Sequence, residues 1–218
     1  MLDLNFSKKE NIPITVVDTG ISNLGSLLLA LDRIGIECNV TCCPKVVSEA
    51  GGLILPGVGA FADGMDALAR HGLIEPIRSH AARGRPLLGI CLGMQLLADS
   101  SEEFGNHQGL GIIPGRVRRL PSSARLRIPN VGWCNICIKN NARLFADLEV
   151  DPSFYFVHSY VMECDDAVDS VGTIEFGNQR VTVACQRGSV FGSQFHPEKS
   201  QDSGLTFLAN FSNLVNSL

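Results

Sequence analysis

Short runs of Val, Ile and Leu alternate, along the first hundred residues, with longer stretches whose apolar positions recur every three or four residues. IPITVVD (12–18) reads as a buried strand. Ser22–Gly35 has helical spacing, with Ser22 as an N-cap candidate and a closing glycine. IECNVTC and GGLILPG read as the second and third strands. Residues 60–84 are helical, with a break near Gly72 and Pro76. RPLLGI is a fourth strand, and CLGMQLLADSSEEF the next helix. Apolar strands that alternate with helices predict a parallel sheet covered on both faces.

Beyond Gly105 the pattern shortens. GLGIIPGRVRRL, NVGWCNICIKN, SFYFVHSYVME, SVGTIEF, QRVTVACQRG and VFGSQFHP are strand-like and separated by turn residues, an antiparallel signal. SQDSGLTFLANFSNLVNSL is an amphipathic helix. The expected fold is α/β: an open, mostly parallel sheet flanked by helices, with an antiparallel extension. It forms one domain over residues 13–218, after a loose tail over 1–12.

Composition works by exclusion. A net charge of -4 argues against a sequence-independent nucleic-acid binder and against a polybasic membrane anchor. No apolar run approaches the roughly 20 residues of a membrane span. The first residues lack the apolar core of a secretory signal, so a cytoplasmic location is expected. The eight cysteines are scattered. Cys134 and Cys137 form the C-x-x-C pair, but in a strand such positions point to opposite faces, and no second pair or nearby histidine completes a metal site. They, and Cys38, Cys42, Cys43, Cys164 and Cys185, read as small apolar fillers.

Cys91 stands apart. An apolar strand runs straight into a helix at this residue, with Gly89 and Gly93 two residues to either side. This G-x-C-x-G pattern suits a nucleophile elbow, in which a sharp turn lifts the side chain above the sheet edge. Glycines leave room where a Cβ would clash, and the amides opening the helix favour a thiolate. A thiolate nucleophile needs a histidine to protonate the leaving group and activate water. His71, His80 and His107 suit surface roles. His196 follows a strand, with Glu198 two residues on and Pro197 between. The carboxylate can hold one imidazole nitrogen and leave the other facing Cys91, the arrangement of a Cys-His-Glu triad.

LILPGVGAF, GICLGMQLL, FYFVHSY and QFHPEKS, in this order and spacing, resemble the class I (triad) glutamine amidotransferases, whose fold is flavodoxin-like. The resemblance runs from about Ile12 onwards. Met94, GLGIIPGRV, P-x-x-G-W and the segment after HPEKS look like the branch that serves histidine biosynthesis. The resemblance implies that Cys91 attacks the side-chain amide of L-glutamine and releases ammonia and glutamate. It implies oxyanion donors at the Leu92 amide and at Val58 or Gly59, in a loop made mobile by Gly57 and Gly59. It implies substrate contacts from Gly57, Gln95, Glu103 and the backbone of Ser159 and Tyr160, with His158 as a positioning residue. No cofactor and no metal are implied. The implied partner is a (β/α)8-barrel cyclase subunit (HisF-like) that receives the ammonia and touches Asn23, Asn130, Trp133 and Lys199.

Two segments depart from that pattern. Thr19-Gly20-Ile21-Ser22-Asn23 stands where Tyr-Gly-x-Gly-Asn is usual, and Pro129-Asn130-Val131-Gly132-Trp133-Cys134 where Pro-His-x-Gly-Trp-Asn is usual. Both belong to the implied partner face. A paralogous glutaminase that feeds a sugar-modifying enzyme is therefore a second reading. A binding module without turnover is a third, against which the intact Cys91, His196 and Glu198 weigh, and a cysteine peptidase a further option.

Overall fold

Alternate residues of the central strands reach opposite sides of one sheet, and both sides are covered. The computed structural model describes residues 12–122, 127–139 and 142–217. Most of the expected tail therefore lies outside the described residues. The first half runs β1 (Ile14–Val17), α1 (Leu24–Arg33), β2 (Cys38–Thr41), α2 (Pro44–Glu49), β3 (Gly52–Gly57), α3 (Phe61–Arg70), α4 (Ile74–Ala82), β4 (Leu87–Cys91) and α5 (Leu92–Leu96). The second half runs β5 (Ser100–Ser101), β6 (His107–Gln108), β7 (Gly115–Arg119), β8 (Asn130–Asn135), β9 (Cys137–Ile138), β10 (Ser153–His158), β11 (Tyr160–Cys164), β12 (Ser170–Phe176), β13 (Gln179–Arg187), β14 (Val190–Ser193) and α6 (Gln201–Asn216).

The main sheet has eight strands in the order β2-β1-β3-β4-β14-β13-β12-β9. From β2 to β14 neighbours are parallel; from β14 to β9 they are antiparallel. This is the expected mostly parallel sheet with its antiparallel extension. β8 and β10 form a separate ribbon, and β11, β7, β5 and β6 a small second sheet. Ile14, Val16, Ile54, Leu88 and Ile90 pack on one face with Leu27 and Leu31 of α1 and with Phe207, Phe211 and Val215 of α6. Val17, Leu53, Leu55 and Leu87 pack on the other face with Val47, Phe61, Leu68 and Ile77 of α2, α3 and α4.

Several local expectations shift. The helix after Cys91 ends at Leu96, well short of Phe104. Asp99 and Ser101 draw the chain away, because their side chains take the Gly115 and Glu103 amides. The break in residues 60–84 falls at Gly72 (φ +64°), while Pro76 sits in the first turn of α4, where its missing N–H costs nothing. Asn23, not Ser22, occupies the N-cap of α1 and makes no side-chain capping bond. Cys42, Cys43 and Cys137 are exposed and are not core fillers. Among the described residues no helix is long and apolar enough to cross a membrane, and no three metal-binding side chains converge.

Candidate active site

β4 is flanked by β3 and β14, and all three run in the same direction. Their carboxyl ends therefore meet at one edge, where parallel sheets place their ligands. Cys91 ends β4 and has φ 54° and ψ −111°. A non-glycine residue in this region is strained by about 1–3 kcal/mol, a cost borne where the surroundings hold the turn. Two glycines hold it. A Cβ on Gly89 would lie 2.6 Å from the Gly93 carbonyl oxygen, and one on Gly93 would overlap the Leu55 carbonyl oxygen of β3. The helix can thus pass directly over the strand it has just left.

The segment after β14 brings the second half of the site. His196 is 3% exposed, and its Nδ1 lies 2.8 Å from Glu198 Oε1. Pro197–Lys199 form one 3-10 turn, which lets the carboxylate fold back on the ring. Burial opposes a charge on His196, but hydrogen bonds to Cys91 and Glu198 and their negative charges outweigh it and raise its pKa to about 9. Asn23, Gly57, Val58 and Ile90 line a small cleft with His196 and Glu198, and Glu198 Oε2 is buried beside it without a partner.

The other expected site residues fall around this pair. Leu92 is the first residue of α5, where amides have no partner within the helix. The Val58 amide instead donates to the Ile21 carbonyl at 3.1 Å. In this conformation it is committed to the loop after β1 and is no free donor, while Gly59 takes a φ of +102°. Glu103 Oε2 accepts from the Phe61 amide at 2.7 Å, tying that carboxylate to the start of α3. Both N–H groups of Gln95 are used: one donates to the Tyr160 carbonyl (3.1 Å), the other to Gln194 Oε1 (2.9 Å). Its carbonyl oxygen remains for a ligand. The Ser159 carbonyl accepts from the Leu120 amide. Asn130 Nδ2 bonds His158 Nε2 at 3.1 Å, and His158 Nδ1 bonds the Tyr160 carbonyl at 2.9 Å. Trp133 packs edge-on to Tyr155, over which Lys199 Nζ lies 5.9 Å from the ring centroid.

Two participants lie outside the expected set. Ile21 supplies the carbonyl that holds the Val58 amide. Gln194 is fully buried and donates from Nε2 to Cys91 Sγ at 3.7 Å. A signal for Gln194 existed: it sits two residues before His196, so an extended chain points both side chains one way. No sequence pattern marks Ile21, because a carbonyl is common to every residue.

Three buried histidines predict a stability profile; His80, expected at the surface, is fully buried against the Pro86 carbonyl. His196 binds its proton more tightly in the folded state. Its contribution is complete below about pH 6.5 and is lost as pH rises through about 9. Burial pushes His158 the other way, to about 4, so its contribution is complete above about 6.5 and is lost as pH falls. Burial also lowers His80, which adds to the acid-side loss. Urea unfolding free energies are expected to peak near pH 6.5, and Glu198→Gln is expected to flatten the alkaline side. A rise in stability through pH 9 would contradict the His196 assignment.

The comparisons with known proteins give the family. A family model described as glutamine amidotransferase class-I matches residues 15–214. The chain is 46% identical to an imidazole glycerol phosphate synthase subunit HisH from Syntrophotalea carbinolica, over 92% of this chain and all of that protein. It is 47% identical to the subunit of the same name from Moorella thermoacetica, over 93% of this chain and 95% of that one. Two solved structures share the fold at 20% identity, each with a TM-score of 0.72 over 94% of this chain and 99% of the other. One is a crystal structure of a glutamine amidotransferase, the other the structure of PurLQS from Thermotoga maritima. With the family model spanning nearly all the described residues and relatives of this identity along almost the whole length, the chain belongs to the class-I glutamine amidotransferase family.

Proposed function

We propose that the chain is a glutaminase, the ammonia-supplying subunit of an imidazole glycerol phosphate synthase in histidine biosynthesis. The observation that carries the reading is Cys91, lifted on a strained turn at the carboxyl edge of β4, with the His196–Glu198 pair bearing on it from the end of β14. Relatives named as subunit HisH, 43–47% identical over more than nine-tenths of the chain, support the pathway.

In this reaction the Cys91 thiolate attacks the side-chain carbonyl carbon of glutamine. A C–S bond forms and the carbonyl π pair moves to oxygen. As the oxyanion collapses the C–N bond breaks, and His196 gives its proton to the departing nitrogen. Ammonia leaves and a thioester remains. His196 then takes a proton from water, hydroxide adds to the thioester, and a second oxyanion collapses to expel the thiolate and glutamate. Glu198 holds the ring through Nδ1 in both halves, so the opposite nitrogen serves the substrate. The Leu92 amide is one oxyanion donor. The second is withheld while Val58 donates to Ile21. A missing donor of this kind costs about 2.7–4 kcal/mol of transition-state stabilisation, or roughly 10²–10³ in rate.

The partner in this reading is a (β/α)8-barrel cyclase. Ammonia must reach its acceptor unprotonated, which favours transfer inside a complex. The surface that suits it adjoins the site. Trp133 and Val131 on β8, with Val157 opposite Val131 on β10, are exposed on the two-stranded ribbon, and Val58 is exposed on the withheld loop. A partner that presses on this face and on the loop at Ile21 frees the Val58 amide. The same reading places the protein in the cytoplasm, with no cofactor.

Glutamate release by the purified chain is therefore expected to be weak alone. A histidine-pathway cyclase with its nucleotide ligand is expected to raise it by about 10²-fold or more. Cys91-dependent release with no stimulation would move the partner to a sugar-modifying enzyme. High turnover without a partner would refute the role given to the Ile21–Val58 bond.

A further inference from the structure

We propose that Gln194 positions the Cys91 sulfur as a hydrogen-bond acceptor, its side-chain amide held in the donating orientation by Gln95 and the Tyr160 carbonyl. The inference rests on Cys91 as the nucleophile and goes beyond the triad.

The orientation follows from what each atom can do. The Tyr160 backbone carbonyl can only accept, and it receives both His158 Nδ1 and Gln95 Nε2. That fixes which end of the Gln95 amide is nitrogen. The second N–H of the same nitrogen points at Gln194, 2.9 Å away, so the facing Gln194 atom must be its oxygen. The Gln194 nitrogen is then turned to Cys91 Sγ, 3.7 Å away. Gln95 is 6% exposed and Gln194 fully buried, so water does not compete for these bonds. Reversing the Gln194 amide would set nitrogen against nitrogen at Gln95 and leave an oxygen against the sulfur.

A donor in this place acts on charge. A thiolate accepts a hydrogen bond far better than a thiol does, and bonds to charged groups are the stronger ones. Gln194 therefore helps hold the ionised sulfur on the side away from any leaving group, while His196 remains free to move protons. The Gln194 amide does not titrate, and it is in place both when the thiolate attacks and when it is expelled from the second tetrahedral intermediate. The titratable groups around the cluster are His196, Glu198 behind it, and His158 and Tyr160 beyond Gln95; all are left in place in the variants below.

The test reads the sulfur directly. Alkylation by iodoacetamide forms a C–S bond at the thiolate and expels iodide, with no glutamine involved. Cys42, Cys43 and Cys137 are exposed and will also react, so the Cys91 peptide is followed by mass spectrometry. Gln194→Met keeps the length of the side chain and removes the donor. At pH 7 Cys91 is expected to react about tenfold more slowly than in the unaltered chain, and the gap is expected to close toward pH 10. Glutamate release with the cyclase present is expected to lose kcat with little change in KM. Alkylation of folded Gln194→Met at the unaltered rate overturns the proposal. If Gln194→Met does not fold, Gln95→Leu frees the Gln194 amide to turn, and slowing of about threefold is expected; the unaltered rate there also overturns it. Slower alkylation in a protein that never releases glutamate would sustain this inference while removing the proposed function.

Discussion

Alanine at Cys91 is expected to reduce glutamate release by about 10⁴-fold or more, to the background of the assay. Removing the nucleophile of a triad costs on this scale, because the remaining members act only through it. No other described cysteine is placed to substitute. Cys185 is buried in the core packed by α2–α5, and Cys164 lies at the end of β11, where burial and nearby carboxylates push its thiol up to about 12. The alanine chain is expected to fold and to bind the cyclase, since Cys91 sits at the edge of the core and the change removes one sulfur atom while keeping the Cβ. Binding and far-UV circular dichroism, measured beside turnover, separate loss of chemistry from loss of structure. Release above one hundredth of the unaltered rate would place the nucleophile elsewhere.

Gly93→Ala is expected to destabilise the fold by about 3 kcal/mol or more, which in a chain of this length lowers Tm by roughly 6–12 °C. The added methyl would occupy the space of the Leu55 carbonyl oxygen. That oxygen cannot move aside, because β3 is hydrogen-bonded to β1 on one side and to β4 on the other. The helix must lift instead, and Leu92, Met94 and Leu96 would leave contacts they now bury completely or nearly so. Lifting α5 also carries the Leu92 amide and Gln95 away from the sulfur, so activity is expected to fall further than stability explains. Gly84→Ala is the matched comparison. Its φ is +72°, but a Cβ there meets nothing within 4 Å, so only the backbone cost of about 1 kcal/mol is expected. Thermal unfolding of both variants checks the difference, and equal losses would mean that the close approach at Leu55 is not what Gly93 serves.

The parallel core, the turn at Cys91 and the His196–Glu198 contact were legible because their signals are local. A run such as LLGIC must be buried on both faces, so its strand could be read without knowing its neighbours. The glycines flanking Cys91 mark a crossing of strand and helix within five residues. His196 and Glu198 are two residues apart, and one turn suffices to bring them together. The same locality misled where competing local bonds decide. Asp99 and Ser101 stop the helix after Leu96, and β5 and β6, two of the four strands in the small sheet that follows, have two residues each, too short to leave a pattern.

By itself the sequence determined the central parallel strands, the tight strand-to-helix turn at Cys91 and the His-x-Glu pair, since burial, sharp turns and short spacing are written in neighbouring residues; it did not mark α2. Only the tertiary structure decided which groups those elements meet. Ile21 reaches Val58 across 37 positions, Glu103 reaches Phe61 across 42, and Gln194 reaches Cys91 across 103. Such contacts depend on which strand lies beside which, and backbone carbonyls and amides carry no identity in the sequence. The chemistry could therefore be named from the chain, whereas the Ile21–Val58 bond and the orientation of Gln194 exist only once the sheet has formed.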